Sequence, residues 1–350
     1  MPFSLVLLIL GIQEPVQTTF PFARDLQSAL REASDRRVPI LYCNFDTWHM
    51  EPKPGDSGTP LKQVLGDANL ARVVARTICI LSSTEKHGEA KQIIDGVERT
   101  VCKSFGWMPC SAHKTVLDHV FKSFAHGGVL DFPHFYLASP DGKVLVSVIG
   151  ERGPAILASE FEAALGEWKP GLERTVYQSC RAAFAEATAA ERAGDFYRAR
   201  GALESVQKQA KGYPPEQEAL AALVRLNDSA RQRKNDLVAA LQKGEGNQLE
   251  NLIALDDLAF GMGELAAGGQ ARSSVAELLR QARFATLLPE LEQHRAARSL
   301  YFKCVALVKE GKRDPARRGL ADFLKRYAGS RFEQRAKELM DEVARASKKP

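Results

Sequence analysis

The sequence lacks the features that mark several common classes of protein. No apolar run reaches the roughly 18 residues that a membrane-spanning helix needs, so no transmembrane span is expected. The net charge is +5, but the basic residues form no block with interleaved aromatic rings, and nucleic-acid binding is therefore not expected. Six cysteines are too few for a disulfide-built scaffold of this size. What remains is a globular chain whose 350 residues predict two domains.

Motifs of the common enzyme classes are also missing. The chain has no Gly-x-Ser-x-Gly and no His-Glu-x-x-His, and its glycine-rich stretch "GMGELAAGG" does not follow a strand as a nucleotide-binding loop would. No cofactor is expected, and the sequence favours a protein that is not an enzyme.

The first residues resemble a targeting element. An apolar run extends from Phe3 to Ile12, which is the length of a signal-peptide core, although no basic residue precedes it. We expect a possible signal peptide at 1–17 and a periplasmic or secreted protein. The alternative is a buried N-terminal strand in a cytoplasmic protein.

The first half alternates between helical and strand patterns. Apolar residues recur at helical spacing over 22–35, and 38–45 and 77–81 are continuous apolar runs typical of buried strands. Residues 131–150 predict two strands joined at "SPDGK", where Pro140 and Gly142 suit a tight turn. Further helices are predicted between the first two strands and after the last.

These elements resemble the thioredoxin fold over about residues 20–168. "RRVPILYCNFDTW" is similar to the family's first central strand, which ends at the tryptophan before the active-site motif, here Trp48. "FPHFYLASPDGKVL" is similar to its cis-proline strand and hairpin, with Pro133 at the cis-proline position. The fold class is therefore predicted to be an α/β thioredoxin-like domain followed by an all-α domain.

The resemblance implies a change of chemistry at the usual active site. Family members place Cys-x-x-Cys directly after the tryptophan, whereas this chain has His49 and Pro52 at those positions. Without thiols this loop cannot exchange disulfides. The groove beside the cis-proline is then expected to bind an extended peptide. Its predicted residues are Trp48, His49, Phe132, Pro133 and His134.

The segment at about 85–128 is predicted to be a helical insert. Helical spacing is found over 89–105 and again over 111–124. Cys102 then falls near the end of the first helix, and Cys110 falls just before the second.

Four interpretations of this cysteine pair remain open. Cys102 and Cys110 could form a structural disulfide. They could bind a metal together with His113 and His119, although the spacing matches no known zinc module. They could be a redox-active pair, with Cys110 at a helix N-terminus. They could also be buried free thiols.

The second half, 171–350, is predicted to be helical and internally repeated. Two stretches match in register, so that Gly194 pairs with Gly311 and Ala199 with Ala316. Glycine and alanine at such positions resemble tetratricopeptide-type repeats, whose usual role is to bind proteins or peptides. A plain helical bundle is the alternative.

Three functions follow from these patterns. The first is an exported, redox-inactive, thioredoxin-like protein that binds protein or peptide partners through its helical repeats and the groove beside Pro133. The second is an atypical thiol–disulfide oxidoreductase or thiol-dependent chaperone that uses Cys102 and Cys110. The third is metal binding by the same insert.

Overall fold

The computed structural model describes residues 22–46, 49, 61–94, 96–125, 130–150, 152–166 and 168–346. The predicted signal peptide at 1–17 lies outside the described residues, and so does Trp48.

The N-terminal part is a mixed α/β region. Its elements are α1 (Leu26–Arg36), β1 (Ile40–Asn44), α2 (Leu61–Gly66), α3 (Ala68–Val74), β2 (Ile78–Ser82), β3 (Glu89–Ile94), β4 (Val97–Cys102), α4 (Cys110–Phe124), β5 (His134–Ala138), β6 (Val144–Ile149) and α5 (Pro154–Leu165).

Four strands form one sheet in the order β2-β1-β5-β6. β1 pairs in parallel with β2 and antiparallel with β5, and β5 pairs antiparallel with β6. Every residue of β1, β2 and β5 is buried, as their continuous apolar runs predict for strands covered on both faces. The predicted hairpin at 131–150 is confirmed, and Gly142 takes the positive φ of its turn.

Helices cover this sheet in two groups. α1 contacts α4, and both pack against β2, while α2 and α3 contact α5. Their apolar faces and the three buried strands share one continuous core, which includes Tyr42, Phe45, Phe135 and Phe161.

The prediction of a helix over 89–105 is wrong. This segment forms a two-stranded antiparallel sheet, β3–β4, separate from the four-stranded one. The apolar positions fit a helix by spacing, but Gly96 takes φ +74° and turns the chain back on itself. Ile93 and Val97 beside the turn are 79% and 52% exposed, so they contribute little to the core. The predicted insert is therefore a hairpin followed by one helix, α4.

The remainder of the chain is helical. From residue 174 onward the described part contains no strand, and its helices are α6 (Arg174–Arg192), α7 (Phe196–Gln209), α8 (Pro214–Lys243), α9 (Gln248–Met262), α10 (Ala266–Leu279), α11 (Ala282–Ala285), α12 (Leu288–Lys309), α13 (Arg313–Arg326) and α14 (Glu333–Ala346).

Contacts divide the chain into two compact units, Met1–Arg181 with Val206–Glu218, and Ala182–Ser205 with Ala219–Pro350. The predicted domain limits, 20–168 and 171–350, remain predictions.

The two matched stretches adopt matching local conformations. Gly194 and its counterpart Gly311 take φ +74° and +73°, and Ala199 and its counterpart Ala316 are both fully buried. The small residues allow close approach of neighbouring helices. A Cβ at Gly261, for example, would lie 2.7 Å from the backbone nitrogen of Tyr197.

Candidate metal centre

Four side chains of the types that bind metal ions lie close together beside the β3–β4 hairpin. They are His87 in the segment before β3, Cys102 at the end of β4, and Cys110 and His113 in the first turn of α4. Each offers one donor atom, and these atoms all lie within 4.8 Å of one another. The set is two thiols and two imidazoles.

The hairpin and the loop after it create this cluster. Cys102 pairs with Glu89 across the hairpin, which returns the chain to the neighbourhood of His87. The loop then doubles back, because the Cys102 amide donates to the Met108 carbonyl at 2.7 Å. The Glu89 side chain accepts from the Cys110 amide at 3.1 Å and fixes the start of α4.

Helical geometry adds the fourth donor. His113 follows Cys110 by three residues in α4, so the two side chains lie on the same face one turn apart.

In its neutral form, each imidazole would present an unprotonated nitrogen to the cluster. His87 Nε2 lies 2.7 Å from a Glu85 carboxylate oxygen, and His113 Nδ1 lies 3.3 Å from the Ser83 carbonyl oxygen. Carboxylates and carbonyls accept hydrogen bonds, so in neutral rings these nitrogens carry the proton. The other nitrogens, His87 Nδ1 and His113 Nε2, are buried and have no hydrogen-bond partner among the described residues. A buried acceptor without a partner destabilises the fold, and a metal ion would satisfy both.

Asp46 positions the segment just before His87. This segment includes the Ser83 carbonyl that contacts His113. Its carboxylate accepts from Ser83 Oγ at 2.6 Å, from the Thr84 amide at 2.8 Å and from Thr84 Oγ1 at 2.6 Å. Burial alone would raise the pKa of Asp46, but these hydrogen bonds and the nearby His49 outweigh it and lower the pKa. Asp46 therefore stays ionised. Its hydrogen bonds hold Ser83 and Thr84 in position on either side of the Ser83 carbonyl.

Apolar side chains surround the donors. The Phe105 ring makes edge contacts with His87 at 4.9 Å and with His113 at 5.8 Å between ring centroids. Phe105 and Met108 are fully buried. These side chains limit access of water to the two buried donor residues, Cys102 and His113.

In the metal-free protein, the pKa shifts of His113 and Cys102 suit a metal ligand set better than a reactive thiol pair. Burial lowers the pKa of His113, which keeps its ring neutral at neutral pH. Burial also raises the pKa of Cys102 to about 11. Without a bound metal Cys102 is therefore a protonated thiol rather than a reactive thiolate, and metal binding would displace its proton.

The structure brings together three of the four predicted metal ligands, Cys102, Cys110 and His113. It does not bring in His119, whose Nε2 lies 3.3 Å from the Tyr42 hydroxyl, because six helical residues place it on another face from His113. His87 is not among the predicted ligands, because it becomes a neighbour of the other three only through the hairpin.

The predicted disulfide between Cys102 and Cys110 is not formed in this structure, in which all six cysteines are free thiols. Cys43, Cys79, Cys180 and Cys304 are buried.

The predicted peptide groove is only partly described. The Phe132–Pro133 peptide bond is cis, as predicted. His49 and His134 are both buried, and His134 bonds Ser147 Oγ at 2.6 Å and stacks on Tyr136. Because Trp48 lies outside the described residues, the groove remains a prediction.

Within the described part of the chain, no helix is both long enough and apolar enough to cross a membrane. No family model matches this chain, and no curated protein sequence matches it either.

Proposed function

We propose that the N-terminal unit binds one metal ion through His87, Cys102, Cys110 and His113, and that the ion is Zn²⁺. The observation that carries the proposal is the pair of buried imidazole nitrogens, His87 Nδ1 and His113 Nε2, which have no hydrogen-bond partner in the described part of the chain and lie in one cluster with two thiols.

Zinc fits this donor set best. Two sulfur and two nitrogen donors favour tetrahedral Zn²⁺ over the oxygen-binding ions Mg²⁺ and Ca²⁺. Zinc–ligand bond lengths require donors about 3.3 to 3.8 Å apart, so the outermost pair would need to close by about 1 Å. Four protein ligands leave no open position for a substrate, which favours a structural role over hydrolysis.

The ion would connect three segments of the chain. His87 precedes the hairpin, Cys102 ends it, and Cys110 and His113 begin α4. A two-stranded sheet alone is marginally stable in water. Zinc would hold the hairpin by both of its ends and join it to the helix that packs on the core.

We also propose that the N-terminal part is a thioredoxin-like scaffold and that the helical part consists of tetratricopeptide-like repeats. The strand order β2-β1-β5-β6 and the position of Pro133 support the first, and the matched glycine conformations support the second. Dithiol exchange at the usual loop is not part of this proposal, because His49 and Pro52 replace the two cysteines.

A second candidate function is protein or peptide binding by an exported chain, as the sequence predicts. On α8, Leu220 and Val224 lie one turn apart and are 37% and 63% exposed, which supports a contact surface on this helix. The raised pKa of Cys102 gives the thiol oxidoreductase alternative less support.

Zinc competition against a chromophoric chelator tests the proposed function. We expect the purified chain to bind one zinc ion per molecule, and His113→Ala to weaken binding at least tenfold. His119→Ala is the matched control, since it removes a histidine from the same helix outside the cluster, and it should bind zinc as the wild type does. Equal effects of the two variants would contradict the proposed ligand set.

A further inference from the structure

We propose that Cys110 is an oxidation site for peroxides and that its oxidation releases the metal ion. In the oxidised state Cys102 and Cys110 form a disulfide, and in the reduced state they bind zinc. This inference rests on the proposed zinc site and adds the means by which the ion leaves it.

The two sulfur ligands differ in their access to solvent. Cys102 is fully buried, whereas Cys110 is partly exposed at the start of α4. The other four cysteines of the chain are buried as well, so a small oxidant in water meets Cys110 first. Its amide is held by Glu89, and its sulfur lies 3.6 Å from the Gly88 carbonyl oxygen, which keeps the thiol at this edge of the cluster.

Cys102 is placed to complete the reaction. The two sulfurs belong to a cluster whose donors lie within 4.8 Å of one another, and a disulfide bond is about 2.0 Å long. The sulfurs therefore need to approach by at most about 2.8 Å. The backbone between the two cysteines already folds back through the bond from the Cys102 amide to the Met108 carbonyl. No large rearrangement is required.

The chemistry is a two-electron oxidation of two thiolates by one peroxide. The Cys110 sulfur attacks the peroxide, forms an S–O bond as the O–O bond breaks, and releases hydroxide. The Cys102 sulfur then attacks the Cys110 sulfur, forms the S–S bond and expels a second hydroxide. Two protons convert both hydroxides to water. Zinc loses two of its four ligands and dissociates from the two imidazoles.

Oxidation would change how the hairpin is held. The disulfide keeps the end of β4 joined to the start of α4, while His87 loses its connection to the other three ligands. The segment before β3 is then released, and the end of β4 is not. The same cysteine pair thus has two cross-linked states, of which only the zinc state includes the histidines.

The experiment uses the full chain loaded with zinc and treated with one equivalent of hydrogen peroxide. A zinc-sensitive dye follows release of the ion, and alkylation with peptide mass mapping identifies the oxidised cysteines. We expect one zinc released for each Cys102–Cys110 disulfide formed, with zinc rebinding after reduction by dithiothreitol. Cys304→Ala removes a buried cysteine outside the cluster and should behave as the wild type does.

A second measurement tests the order of the two steps. Cys102→Ser leaves Cys110 without its partner, so peroxide should leave a sulfenic acid on Cys110 that dimedone labels, whereas the wild type should show little label. Zinc that stays bound after peroxide, or zinc released without the disulfide, would overturn this inference and leave the zinc site standing. A chain that takes up no zinc before oxidation would overturn the proposed function and this inference together.

Discussion

Glu85 lies behind the candidate metal centre, where its carboxylate is 2.7 Å from His87 Nε2. Such a carboxylate orients the imidazole and makes its other nitrogen a better donor to the metal. We expect Glu85→Ala to weaken zinc binding by about 10- to 100-fold, the usual range for an outer partner of a ligating histidine. Chelator competition measures the change.

Glu98→Ala is the control for Glu85. Glu98 is an exposed carboxylate on β4 that pairs with Lys91 at 2.7 Å. Its removal should leave zinc affinity unchanged, and equal losses in the two variants would show that Glu85 acts through general charge rather than through His87.

The hydrogen bonds between Asp46 and the residues on either side of the Ser83 carbonyl can be tested by substitution. Asp46→Asn disrupts the hydrogen bonds that Asp46 accepts from Ser83 and Thr84 and leaves the buried Ser83 hydroxyl poorly matched, so the free energy of unfolding should fall by about 1–3 kcal/mol at neutral pH. The pKa of Asp46 is lowered in the folded protein, so its contribution is present above the unfolded pKa of about 3.9 and is lost as pH falls through the folded pKa.

Urea unfolding of the metal-free wild type and of Asp46→Asn at several pH values measures this contribution. The difference between the two proteins should be constant near neutral pH and should shrink below about pH 4. A difference that grows as the pH falls would contradict the assignment of an ionised, hydrogen-bonded Asp46.

At the scale of elements, we expect the β3–β4 hairpin to depend on the proposed metal ion more than any strand of the main sheet does. Its two strands pair only with each other among the described strands, and Ile93 near its tip is 79% exposed. Removing zinc with a chelator should therefore speed amide hydrogen exchange over 87–102. β5, which is buried between β1 and β6, should keep its protection.

Hydrogen exchange followed by mass spectrometry gives this comparison within one sample. Equal acceleration in the hairpin and in β5 would mean that the ion stabilises the whole unit rather than the hairpin. No acceleration in either would mean that the hairpin holds without it.

Two neighbouring glycines on α10 test the packing of the helical part. A Cβ at Gly268 would lie 2.5 Å from the Gly263 carbonyl oxygen, whereas a Cβ at Gly269 meets nothing within 4 Å. Gly268→Ala should lower the free energy of unfolding by about 1–3 kcal/mol through overpacking. Gly269→Ala should raise it by up to about 1 kcal/mol, because alanine favours a helix more than glycine does.

Thermal and urea unfolding of the two variants measure these opposite effects. Because both substitutions are glycine to alanine in one helix, helix propensity is matched and only the contact differs. Destabilisation by both would contradict the close approach at Gly268.

The elements that the sequence predicts well are those whose pattern has one interpretation. β1 and β2 are continuous apolar runs too short for a buried helix, and both are buried throughout. The hairpin was missed because its apolar residues recur at three and four positions, which fits a helix equally well. The deciding signal was "DG" between Ile94 and Val97, since glycine there can take a positive φ.

At the scale of the whole molecule, the candidate site could be predicted only in part. Cys102, Cys110 and His113 are close along the chain, so their proximity follows from local structure. His87 joins them through the antiparallel pairing of Glu89 with Cys102, in a segment where the apolar spacing predicts a helix instead. The error in one element therefore removed one ligand and put His119 in its place.

Absorption spectroscopy of the full chain, with cobalt in place of zinc, tests the proposed metal centre most directly. We predict one Co²⁺ per molecule, the intense visible bands of tetrahedral cobalt and a thiolate-to-cobalt charge-transfer band, all displaced by one equivalent of zinc. His87→Ala should change these bands, and His119→Ala should not. The weak bands of octahedral cobalt, or a spectrum unchanged by His87→Ala, would contradict the centre proposed here.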